Sequence, residues 1–88
     1  MIAENYSKYM KKMEKLSNLK IGEKGKIVAL NIENKVVKRH LLDMGLVRGT
    51  IVEVRKVAPT GDPIDLSVRS YELCIRKSDL NQIDVEVI

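Results

Sequence analysis

A chain of 88 residues has room for one small domain and lacks the bulk for two lobes closing on a deep catalytic cleft. Hydrophobic residues make up 44%, too many for a disordered tail, while aromatics are only 3%, so Val, Ile and Leu must fill the interior. The formal net charge of +4 is spread over alternating signs, which excludes a polybasic tail and describes a mixed surface.

Residues 2–16 carry Ile2, Tyr6, Tyr9, Met10, Met13 and Leu16 at steps of three and four, which predicts a helix with one apolar face. Residues 1–15 therefore read as an N-terminal helical extension to a domain at 16–88. An isolated helix of this length is marginal in water, so the stripe needs a surface. Docking on the same domain and a weak homodimer through this helix are the alternatives. The segment is polar and charged, unlike a secretory leader, and nothing approaches the ~20 consecutive apolar residues of a membrane span. A cytoplasmic location with no direct membrane insertion is expected. The single cysteine, Cys74, fits a reducing compartment and excludes an internal disulfide.

Gly22 and Gly25 frame a predicted turn, and residues 26–32 read as a strand. Asn31 or Asn34 is placed to cap the next element. From Lys35 the period becomes helical, with Val37, Leu41 and Met44 in a stripe that Leu42 widens. Lys38, Arg39 and Asp43 face outward. Gly45 stops this helix because it lacks the Cβ that opposes a left-handed residue, and Leu46 folds back in a Schellman cap.

Gly49 opens a strand in which Val52 and Val54 share one face. The alternation slips at Arg55-Lys56, which predicts a bulge that returns Val57 to the core. Pro59, Gly61 and Pro63 bound a loop. Ile64, Leu66 and Val68 alternate with polar residues, and a tight turn at Arg69-Ser70 leads to inward Tyr71, Leu73 and Ile75. Ser70 suits a two-residue hairpin poorly where φ must be positive. Ser78 is expected to cap a single helical turn, and Ile83, Val85 and Val87 form a closing strand. The fold class is mainly β: a small SH3-like barrel of about five strands, with one inserted α-helix and the additional N-terminal helix. Closure would remove exposed strand edges.

Four segments in order carry a resemblance: residues 16–25 (LSNLKIGEKG), 39–49 (RHLLDMGLVRG), 58–64 (APTGDPI) and 71–78 (YELCIRKS). Over about residues 16–87 the chain resembles the FeoA family, small proteins associated with bacterial ferrous iron uptake. The resemblance implies an SH3-like fold, no catalytic activity, and a partner in the cytosolic domain of a FeoB-type membrane iron permease. Homologous domains also stand at the C-terminus of metal-dependent repressors, which makes a metal-linked regulatory domain the alternative. This chain departs from the family pattern at Val47-Arg48, where Pro is common, at Ser70, where Gly is frequent, and in residues 1–15.

Candidate chemistry is sparse. His40 and Asp43, three apart on a helix, could offer one weak, open metal site, well short of four ligands. The plainer reading is a solvated His beside a solvated Asp, so no metal and no cofactor are assigned. Cys74, with no base brought near it, reads as a small residue filling space under the helix or the N-terminal segment. The glycines of residues 22–25 and 45–49 do not make a phosphate loop. Lys35, Lys38, Arg39, Arg48, Arg55 and Lys56 raise nucleic acid as a further alternative. Single-strand readers need stacking aromatics, and Tyr71 is predicted inward, so no nucleic acid is assigned. What remains is a protein-docking surface. Leu42, Met44, Leu46, Pro59 and Pro63 are its apolar contacts, and Arg39, Arg48 and Arg76 its polar rim.

Overall fold

The capping chemistry expected of the helix is present in the computed structural model, which describes residues 12–88. Helix α1 (Lys35–Asp43) starts where the Val36 and Val37 N–H groups donate to Asn34 Oδ1 at 3.0 and 3.1 Å. Its end is a Schellman motif. The Gly45 N–H donates to the Leu42 carbonyl and the Leu46 N–H to the Leu41 carbonyl, each at 3.0 Å. Gly45 has φ 98°, which favours glycine, and a Cβ there would come within 2.6 Å of the Tyr71 hydroxyl, so a larger residue would also have to push that ring aside. Leu41 and Leu46 are buried together in the core.

Six strands form one antiparallel sheet: β1 (Met13–Lys15), β2 (Lys24–Leu30), β3 (Ile51–Val57), β4 (Ile64–Val68), β5 (Tyr71–Ile75) and β6 (Ile83–Val87). Their order is β1-β6-β2-β3-β4-β5. The sequence predicts about five strands, and the extra one corrects the predicted helix over 2–16. Met13, Glu14 and Lys15 pair with Glu86, Val85 and Asp84. Pairing with β6 satisfies their backbone groups, and Lys15 adds an ion pair to Asp84 at 2.7 Å. A 3-10 turn, Leu16–Asn18, follows and buries Leu16 completely. The rest of the predicted N-terminal helix lies outside the described residues.

Gly25 belongs to β2 and not to a turn. It passes so close to β6 that a Cβ would meet the Val85 side chain at 2.8 Å. Between β3 and β4 the register shifts at Val54/Lys56, the predicted bulge, and Val57 packs against the core. In the β4–β5 hairpin the positive φ falls on Arg69, at 56°, and not on Ser70. Helix α2 (Lys77–Leu80) also departs from expectation. Ser78 does not cap it, and instead Asp62 Oδ1, from loop 59–63, accepts from the Lys77 N–H at 2.8 Å.

The sheet curls over one core of Leu16, Ile27, Leu46, Val52, Val54, Leu66, Val68, Leu80, Ile83 and Val85, all fully buried. Burial of this kind contributes about 25 cal/mol per Å² of apolar surface and dominates the stability of a domain without disulfides. Strands β1 and β5 end the order and are not paired with each other, so among the described residues no strand pairs with the outer edge of β5. Tyr71, predicted inward, is 40% exposed at the start of that edge, with its hydroxyl over Gly45.

Candidate functional site

The open edge of β5 and the exposed flank of α1 enclose a groove of about 490 Å³. Helical spacing builds one wall. Val37, Leu41 and Met44 descend toward the core, while Val36 and His40, four apart, form the lip. Cys74, Ile75 and Arg76 supply the opposite wall from the end of β5, and Asp79 of α2 closes one end. Val36 is 78% exposed, a large apolar side chain standing at the mouth. An apolar floor, one cation, one carboxylate and an imidazole suit a peptide or helix better than a reaction.

The two groups that could do chemistry here do not make a nucleophile. Cys74 is exposed, where the sequence predicts a space-filling residue under the helix. It lies directly across from Asp65 in the β4–β5 register. A hydrogen bond to Asp65 pushes the thiol above its ordinary pKa, and the charges of Asp65 and Asp62 act in the same sense. A thiol held protonated is the opposite of an activated thiolate. His40 shares the groove with Cys74, although nothing in the sequence brings them together. Asp43, the proposed companion of His40, faces Arg39 at 3.5 Å instead. Among the described residues no group of three or more His, Cys, Asp or Glu side chains is placed to hold a metal ion.

The eight residues expected to form one docking surface are divided by the structure. Met44 and Arg76 line the α1–β5 groove. Arg48 lines a different groove, with Ile51 and Arg69. Arg39 is exposed on the helix, Leu42 is half-buried beside it, and Pro59 and Pro63 are exposed on their loop, outside both grooves. Leu46 needs correcting as a contact, because it is 0% exposed and serves the helix cap and core. Sequence reasoning missed Val36, His40, Cys74, Ile75 and Asp79 as lining residues. The i, i+4 pair of Val36 and His40 was a usable signal; Cys74 gave none, since its groove exists only once β5 meets α1.

The FeoA domain model matches residues 14–87. A FeoA-like protein of Clostridium acetobutylicum, solved by NMR, is 43% identical, with 90% of this chain and 91% of that one covered and a TM-score of 0.79. The Fe(2+) transport protein A/Fe(2+) transporter FeoB fusion protein of Porphyromonas gingivalis is 33% identical over 75 residues. That match takes in 84% of this chain and 9% of the fusion protein, so the chain spans a small fraction of this curated relative. Stenotrophomonas maltophilia FeoA, crystallised with zinc and described as a procaryotic SH3 domain protein, is 23% identical with a TM-score of 0.71. Coverage there is 81% of this chain and 87% of that one, and the likeness shows the mainly β, SH3-like fold.

Proposed function

This chain belongs to the FeoA family, and from that premise we propose that it acts without chemistry of its own, as a cytosolic accessory of ferrous iron uptake. It docks on the cytosolic region of a FeoB-type GTPase permease and alters the assembly or turnover of that partner. The observation that carries this reading is the α1–β5 groove, an apolar trough beside an open strand edge with charged groups at its rim. An extended segment laid along β5 would gain main-chain hydrogen bonds and place alternate side chains against Val37, Met44 and Ile75. The fusion relative supports the choice of partner, since it carries both parts on one chain.

Docking acts by population shift. A module that binds one conformation of the permease ten times more tightly than another contributes about 1.4 kcal/mol toward that conformation. Such a role needs only a moderate, reversible contact.

Calorimetric titration of the full chain against the purified cytosolic region of the permease tests it. Binding near the micromolar range is expected, about −8 kcal/mol. Val36→Glu and Arg76→Glu, both at exposed positions, should weaken binding about tenfold while thermal melts remain near wild type. No binding by the wild-type chain, or unchanged binding by both variants, would overturn the proposal.

A further inference from the structure

We propose a second docking face on the outer surface of the sheet, centred on Ile51, that takes an acidic protein segment bearing an aliphatic anchor. The strand registers assemble it. Lys26 of β2 lies directly across from Ile51 of β3. Val52 lies across from Val68, which brings Arg69 beside Ile51 at the end of β4. Two grooves meet there, sharing Ile51 and Arg69: one of about 510 Å³ that also includes Val47 and Arg48, and one of about 240 Å³ that includes Lys24. Ile51 is 50% exposed at their junction.

Four cations, Lys24, Lys26, Arg48 and Arg69, gather around Ile51. Most cations of the described surface make no ion pair, the exceptions being Lys15 with Asp84, Arg39 with Asp43, and Arg55 with Glu53 and Glu72, so what sets this face apart is the gathering of four cations around one half-exposed isoleucine. Lys24, Lys26, Arg48 and Arg69 have no such pairing among the described residues. Glu53, the acid within the smaller groove, lies 3.6 Å from Arg55. Arg69 also holds a left-handed backbone at φ 56°, a conformation that glycine adopts freely and side-chain-bearing residues resist. A turn that tolerates this cost in order to present a guanidinium points to use of that group.

The chemistry selects the occupant. Guanidinium forks match carboxylates in pairs, and the two lysines add point charges that speed encounter. An aliphatic side chain between the carboxylates would cover Ile51. Single-stranded nucleic acid is disfavoured because the grooves are lined by aliphatic and charged side chains with no aromatic platform. A lipid surface is disfavoured because Lys24, Arg48 and Arg69 line concave grooves, which the flat plane of a bilayer does not enter. A discrete segment can set its carboxylates between them. None of the residues lining these grooves lines the α1–β5 groove, so the two readings stand or fall separately.

The test is a titration of isotope-labelled full chain with the capped heptapeptide Glu-Asp-Glu-Leu-Glu-Asp-Glu, followed by amide chemical shifts. Saturable shifts are expected at Lys24, Lys26, Arg48, Ile51 and Arg69, fading as salt shortens the Debye length below about 10 Å. Arg69→Gly, which relaxes the turn and so keeps the fold, should weaken binding about tenfold, as should Ser in place of the peptide leucine. Shifts spread over every lysine, shifts confined to the α1–β5 groove, or full affinity in Arg69→Gly would overturn the proposal. Phosphatidylglycerol vesicles or oligouridylate moving the same amides more strongly than the peptide would overturn it in favour of a lipid or nucleic-acid site.

Discussion

The two docking faces differ in what holds their walls. The first leans on α1, a nine-residue helix with only Leu41 buried along its length and Leu46 fastening its end. The second lies on β2, β3 and β4, tied together by ladders on both sides of β3. A helix held at few points can shift and open locally, whereas a laddered sheet keeps its side chains at fixed spacing. The first surface is suited to fitting an apolar shape, and the second to matching a pattern of charge.

The largest expected effect attacks the weaker wall. Leu46→Ala removes a fully buried side chain and should cost about 3 kcal/mol in denaturant unfolding. Hydrogen exchange should then accelerate in α1 more than in β3. Equal acceleration in both would erase the distinction between the grooves. Gly45→Ala should cost about 1–2 kcal/mol, mainly through its left-handed backbone, since the half-exposed Tyr71 ring can swing clear of the new methyl. A loss indistinguishable from zero in the same unfolding assay would mean that the cap does not hold the helix end.

On the sheet side the sign reverses. Arg69→Gly relieves about 1–2 kcal/mol of left-handed strain and gives back about 0.5–1 in glycine entropy, a net gain of about 0.5 kcal/mol. A destabilised variant would show that the arginine side chain contributes to folding. The smallest effect concerns the thiol in the first groove. Asp65 raises the Cys74 pKa, so Asp65→Asn should lower it, increase the thiolate fraction near pH 8, and speed alkylation by iodoacetamide a few-fold. Slower alkylation would mean that Asp65 does not govern that proton.

Local signals in the chain were legible, and contacts distant in sequence were not. The Asn34 cap, the Gly45-Leu46 stop and the bulge near Arg55 each depend on a few consecutive residues, and each stands where the pattern placed it. Strand β1 escaped because its three residues, of which only Met13 belongs to the apolar stripe, are too few to show a strand period until β6 pairs with them. The cap of α2 escaped because its acceptor, Asp62, is 15 residues away. Tyr71 alternated correctly with its neighbours, but alternation cannot tell that a strand end projects past the core. The candidate surface suffered most. Eight residues expected on one surface fall on two separate grooves, the outer flank of the helix, a loop and the core, because the sheet order decides which of them meet.

One consequence follows from the pairing of β1 with β6. The Val87 N–H donates to the Lys12 carbonyl at 2.8 Å, so the first and last parts of the described chain depart side by side. The chain preceding Lys12 and the chain following Ile88 are therefore both attached at one corner of the sheet. Shuffling such a unit from the front of a larger protein to the back would change the gene order while leaving its point of suspension in place.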